Sequence, residues 1–194
     1  GGAFFPVPTV LAREVEDIAR RYTASLSMDH RPADFFSHRI TFGVEQVNGQ
    51  GKSFQPYWEE PGQPVRKGTR IVNTRVNNQF NIDYGAVLRL RHSPSYESDF
   101  TVGFQYFSRS DQRAFATGNE FAAPGLRALG ATALASVDEE DLSYVTGGIF
   151  GEYQLAVRDL MFLKVGARMD GSSAFGKDFG WMLFPKASLS YVIS

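Results

Sequence analysis

The segment DGSSAFGKDFG, Asp170 to Gly180, overlays two signatures of phosphate chemistry. Gly171 to Lys177 reads G-x-x-x-x-G-K, and Asp178-Phe179-Gly180 reads as the Mg²⁺-holding DFG of protein kinases. A working phosphate loop needs a strand before the glycines, a hydroxyl after the lysine for Mg²⁺, and a helix whose N-terminus faces the phosphates. Asp178 replaces the hydroxyl and adds negative charge where phosphate would sit. FGWMLFPKAS follows, with Gly180, Pro185 and the alternation of a strand. No H-R-D catalytic loop or glycine-rich nucleotide loop precedes the DFG, and the acidic run SVDEE, Ser136 to Glu140, reads as a solvated charge run. The sequence therefore predicts a glycine-rich turn and no bound nucleotide.

The remaining chemistry-bearing residues are equally sparse. The three histidines are His30, His38 and His92. His30 and His38 flank one short turn and can meet across a hairpin, but two imidazoles with no third ligand nearby read as turn residues, and no metal is expected. No nucleophile elbow supports a Ser-His-Asp arrangement, and no carboxylate pair sits where one pKa would be raised. The absence of cysteine removes disulfides, thiolate metal sites and cysteine catalysis together. A net charge of -1 offers no basic groove for nucleic acid. The expectation is no catalytic constellation and no cofactor. The ligand candidates are aromatic: Tyr57 and Trp58 in FQPYWEEPGQP, and Phe121 in NEFAAPGL. Rings beside acids and amides suit sugars or peptides, although packing the loops against one another is the more ordinary role for them.

The elements that position these residues follow from period-two alternation. In FNIDYGAVLRLR, Phe80, Ile82, Tyr84, Ala86, Leu88 and Leu90 share one face, opposite Asn81, Asp83, Gly85, Arg89 and Arg91. Phe100, Val102, Phe104 and Tyr106 alternate with Thr101, Gly103 and Gln105. Met161, Leu163, Val165, Ala167 and Met169 oppose Lys164, Gly166, Arg168 and Asp170. Similar runs cover Tyr22 to Met28, Ile40 to Val44 and Leu183 to Ile193, and a less regular one spans about Leu142 to Val157. Seven strands are thus expected. Short links at His30–Ser37, His92–Ser98 and Val157–Asp159 alternate with long ones at about Asn48–Asn73, Asp111–Asp141 and Asp170–Gly180.

That bookkeeping describes an up-and-down transmembrane β-barrel segment, all-β and antiparallel, with short periplasmic turns and long extracellular loops. Runs of 10 to 12 alternating residues suit a strand crossing hydrocarbon in about 9–11 residues, against about 5–6 for an ordinary globular strand. Tyr22, Phe80, Phe100, Tyr106 and Tyr191 suit interfacial girdles. No run of 18 apolar residues exists, which excludes a transmembrane helix but not a barrel, whose alternation averages out in a hydropathy window. One short helix is expected near the N-terminus, capped by Thr9 and carrying Val10, Leu11, Glu14, Val15 and Ile18 at helical spacing. The N-terminus lacks a signal-peptide pattern. The alternation still runs at Ser194, so residues 1–194 read as a partial barrel domain cut from a longer chain.

The segment ARMDGSSAFGKDFGWMLFPKASLSYVIS resembles the barrel of SusC/RagA-like TonB-linked outer-membrane transporters. That family's pattern is R-x-D-x-S-S-x-F-G-K, then an aromatic, then F/Y-P-x-x-S-x-S-W/Y-x-I-S. Arg168, Asp170, Ser172, Ser173, Phe175, Gly176, Lys177, Phe184, Pro185, Ser188, Ser190, Tyr191, Ile193 and Ser194 match it. RYTASLSMDHRPADFFSHRITFGVE resembles the family's hairpin with its N-x-R/K-P-x-x-W/F turn, FAAPGLRALGA its loop after a Q-Y-F strand, and GGIFGEYQLAVRDLMFL its strand–turn–strand. Departures fall at Gly151, Tyr153 and Leu160, and Asn48 to Asn73 match least. The resemblance implies a 22-stranded barrel around an N-terminal plug, energised by the TonB complex and often lidded by a surface lipoprotein. It implies import of large nutrients, glycans or peptides, across the bacterial outer membrane, with membrane lipid, plug and remaining barrel as partners lying outside these residues. A passive porin or adhesion barrel, and a soluble β-sandwich binding module, are the rival readings.

Overall fold

The computed structural model of the chain describes residues 12–175 and 180–193. Seven strands form one sheet in the order of the sequence: β1 (Glu14–Ala33), β2 (Phe36–Gln55), β3 (Thr69–Ser93), β4 (Tyr96–Phe121), β5 (Thr132–Val157), β6 (Met161–Ser172) and β7 (Met182–Tyr191). Every neighbour in the sheet is a neighbour in the chain, which is the expected up-and-down meander. The β5–β6 and β6–β7 pairs are antiparallel, with Glu152 opposite Gly166 and Gly166 opposite Lys186.

The turn chemistry explains the tight links. Arg158 and Asp159 both adopt positive φ, 51° and 56°, and Leu160 N donates to Val157 O at 3.0 Å. Two consecutive left-handed residues closed by that bond make the turn whose twist matches a hairpin. Asp34–Phe35 and Pro94–Ser95 are the whole of the other two short links. Each turn is tied to its neighbour in the sheet through the backbone, Arg158 N to Ser95 O between two turns and Arg89 N of β3 to Phe35 O of the first turn.

Two expectations are corrected. The N-terminal helix is not formed at Glu14 to Arg21, which are strand and belong to β1 (Thr9 to Leu11 lie outside the described residues). The reason is a partner unseen in the local pattern: Arg13 Nε donates to Ser53 Oγ at 3.1 Å and Lys52 pairs with Glu16 at 3.4 Å, so β2 claims the segment. The long links are also shorter than expected. Strand persists to Gln55 and resumes at Thr69, and persists to Phe121 and resumes at Thr132. A strand of 26 residues reaches about 85 Å at ~3.3 Å per residue, far beyond the ~30 Å of hydrocarbon.

The described residues fall into two compact units. One runs up to Tyr22 and adds Gln46–Asn78 and Ser110–Leu142; the other holds Thr23–Glu45, Gln79–Arg109 and the chain from Ser143 onward. Almost nothing in either is a conventional core. Among the described residues the buried hydrophobics are Phe54, Ala86 and Phe121. Leu26, Met28, Phe42, Val44, Phe100, Val102, Phe104, Leu163, Val165, Leu189 and Tyr191 are exposed instead, while Phe80, Ile82, Tyr84 and Leu88 are half-exposed. No second sheet covers them among the described residues. β6 shows the rule residue by residue: Met161, Leu163, Val165, Ala167 and Met169 are exposed, and the residues between them are partly covered. A β-sandwich would bury one face of that strand, and the structure buries neither.

Candidate functional site

The polar face of β3–β7, in the second unit, carries a side-chain network. Glu152 accepts from Lys164 Nζ at 3.1 Å and pairs directly with Lys186. Further along, Arg168 Nε meets both carboxylate oxygens of Asp170 at 2.7 Å, an i, i+2 contact along one face of a strand. The Arg168 guanidinium also stands 5.8 Å from the Phe150 ring centre, within cation–π range. Gln105 Nε2 and Asn81 Nδ2 donate to Asp83 at 3.0 and 3.1 Å. Arg168, Asp170, Asp83, Asn81 and Gln105 border a hollow of about 680 Å³ whose other walls include Tyr106, Phe107 and Phe184.

Glycines make room for this arrangement. A Cβ on Gly148, which stands opposite Asp170 in the register, would collide with Asp170 Oδ1 and lie 2.8 Å from Arg168 Nη2. The hollow is therefore lined by charge, amide and aromatic faces over a floor of small residues. It can hold a polar segment or solute by hydrogen bonding, and no histidine or cysteine stands among its described lining residues.

The motif residues acquire structural explanations. Ser172 Oγ accepts from Ala174 N at 3.3 Å, and Ser173 Oγ accepts from Val145 N at 2.8 Å, holding the end of β6 against the middle of β5. Ser173–Phe175 form a single 3-10 turn. Gly176, Lys177, Asp178 and Phe179 lie outside the described residues. From Met182 the chain runs as β7, a strand. Pro185 stands opposite Ala167 on β7, whose single paired edge in this sheet is compatible with a missing N–H.

The aromatic ligand candidates separate. Phe121 is 1% exposed and packs edge-on against Phe54, ring centres 5.7 Å apart, with Arg127 4.3 Å over the Phe54 ring. Its backbone N donates to Lys67 O at 2.8 Å, and Lys67 Nζ reaches Glu120 at 2.9 Å. Phe121 is thus a packing anchor with no free face for a solute. Trp58 and Arg66 exchange backbone bonds of 2.7 and 2.9 Å, which folds the 56–68 link onto itself; Trp58 Nε1 is buried without a hydrogen-bond partner, and Tyr57 is half-exposed.

Sequence reasoning missed a second charge cluster, in the first unit. Asp111 is buried and takes Arg75 Nε at 2.8 Å, with Arg113 Nη2 at 3.4 Å. The hydrogen bond from Arg75 is the main cause that holds the Asp111 carboxyl far below the usual carboxylate range. Arg75, the main partner, is 36 residues away and Arg113 only two, so the sequence offered the i, i+2 charge pair but not the contact that dominates.

The chain matches the family described as TonB dependent receptor-like, beta-barrel over residues 7–194. It belongs to that family. TonB-dependent receptor barrels are outer-membrane receptors and transporters rather than enzymes. No curated protein matches the chain. Among solved structures the fold is similar to the RagAB peptide transporter, with a TM-score of 0.84, 15% identity, and coverage of 93% of this chain and 20% of that one. It is also similar to the RagAB peptide importer in its open-open state (TM-score 0.80, 14% identity, 93% and 20% covered). The closed-closed state gives a TM-score of 0.78 at 15% identity, with 92% and 20% covered. The chain spans about one fifth of these proteins, so the likeness concerns one sector of a barrel wall.

Proposed function

We propose that residues 1–194 form part of the barrel wall of a TonB-dependent importer in the bacterial outer membrane, which takes up large nutrients, peptides or glycans. The observation that carries this reading is the two-faced single sheet. One face is apolar and left open by the fold, as lipid requires, and the other is ion-paired and glycine-rich, as a water-filled or plugged interior requires. Family membership supports energised import over passive passage. The similarity to a peptide transporter favours peptides among large solutes. The partners are membrane lipid, the rest of the barrel, a plug that receives energy from the TonB complex, and a surface lipoprotein lid. Import proceeds by conformational change, so the chain performs no covalent chemistry and needs no cofactor.

The test is uptake in cells. A strain lacking the parent gene is compared with the wild type for accumulation of labelled oligopeptides and oligosaccharides, with and without collapse of the proton-motive force. Loss of one substrate class on deletion, and on de-energisation, supports the reading. Energy-independent uptake limited only by solute size points to a porin instead.

A further inference from the structure

We propose that His30 and His38 form a two-imidazole site for a divalent transition-metal ion, with Cu²⁺ preferred, on the hairpin of β1 and β2. The two rings face each other across the hairpin, His30 Nδ1 and His38 Nε2 being 3.0 Å apart and the ring planes perpendicular. A metal bound by imidazole at ~2.0–2.1 Å, with its two nitrogens at 90° to 109°, places those nitrogens about 2.9–3.4 Å apart. The spacing is therefore already that of two adjacent ligands on one ion.

The site is also held in shape. Phe36 stacks on His38 at 5.6 Å and Tyr84 lies 5.9 Å away. The far nitrogen of His38, Nδ1, has no hydrogen-bond partner, so the polar function of this ring is spent on His30 alone. With His38 accepting the existing hydrogen bond, coordination requires His30 only to move its proton from Nδ1 to Nε2, on an exposed ring. Asp29 is tied to Arg39 and supplies no third ligand. The rings share the face of Met28 and Phe42 but stand beside the Asp34–Phe35 turn, at the rim of the wall, where water completes the coordination. Two nitrogens so completed suit Cu²⁺ best and Ni²⁺ next, and Zn²⁺ less well than Cu²⁺, following the general affinity order of divalent ions.

The experiment uses the full-length protein, purified without a polyhistidine tag in detergent, and titrates Cu²⁺ by calorimetry with electron paramagnetic resonance of the bound ion. His30→Ala and His38→Ala are each expected to lose one equivalent of Cu²⁺ with nitrogen hyperfine structure. His92→Ala, with its imidazole bonded to Ser98 at 2.8 Å, is expected to keep it. Heat-modifiable migration on gels verifies that each variant is folded. Unchanged stoichiometry in both variants, loss in one variant only, or a signal from oxygen ligands alone overturns the proposal.

Discussion

Truncating Phe121 to alanine isolates what one ring does for the links at 56–68 and 122–131. The ring is enclosed, meets Phe54 edge-on, and has no exposed face. Phe→Ala at such a site costs about 3–5 kcal/mol, of which an edge-to-face aromatic pair accounts for ~0.5–1.5 kcal/mol. The lower end applies, because the surrounding cluster is small. The backbone bonds from Phe121 N to Lys67 O and from Glu120 N to Gly68 O do not involve the ring and remain available. At about 1.4 kcal/mol per factor of ten, a loss of ~3 kcal/mol raises local opening roughly 100-fold. Hydrogen exchange of the Trp58 and Arg66 amides, which bond each other's carbonyls, reads that opening. Phe121→Leu should recover most of the protection. Exchange in the alanine variant within about threefold of wild type would refute the packing argument. Loss of uptake with exchange unchanged would return Phe121 to the ligand-contact role.

Three further expectations follow from the same geometry. Val165→Arg, midway along the exposed face of β6, should cost about 2–4 kcal/mol and sharply lower the yield of folded protein in outer membranes, whereas Lys164→Gln one residue away should not; equal yields contradict a lipid-facing assignment. Asp111 has a lowered carboxyl pKa in the folded state, so its pairing with Arg75 and Arg113 is fully present above the unfolded value of about 3.9 and is lost only as pH falls through the folded value. Hydrogen exchange of strand segments 73–77 and 110–114, once corrected for intrinsic rates, should be flat from pH 7 to pH 5, while Asp111→Asn loosens them at pH 7; a transition between pH 5 and 7 in wild type contradicts the pairing. Gly148→Val should displace the Arg168–Asp170 pair, and a structure of the variant with that pair undisturbed would refute the account of the glycine.

How much of this was legible in the sequence depends on where each residue sits. β6 was readable because lipid on one side and a polar interior on the other impose strict alternation, and Met161 to Asp170 obey it. The extensions of β3 and β4 were not. Stretches such as TRVNNQ and ATGNEF carry polar residues on both faces, and without an apolar face nothing in them distinguishes strand from loop. The start of β1 was misread because Val15 and Ile18 fit a helical stripe, while the contacts that decide the matter, Glu16 to Lys52 and Glu14 to Arg127, are 36 and 113 residues distant. The serines of the motif were found by resemblance, but their work as acceptors for Ala174 N and Val145 N needed coordinates. Phe121 was singled out for its type alone, and its burial depends on Phe54, a partner from another strand.

The membrane wall itself is tested most directly by single cysteines placed at every position of β6 from Met161 to Gly171, in the full-length protein with any other cysteines removed. Each is challenged in outer membranes with a water-soluble maleimide, and a fluorophore there with a lipid-borne quencher. Positions 161, 163, 165, 167 and 169 are predicted to resist the maleimide and to be quenched by lipid, and positions 162, 164, 166, 168 and 170 to show the opposite. A uniform response along the strand, or quenching on the even positions, would contradict the claim that this sheet is a barrel wall with its apolar face in lipid.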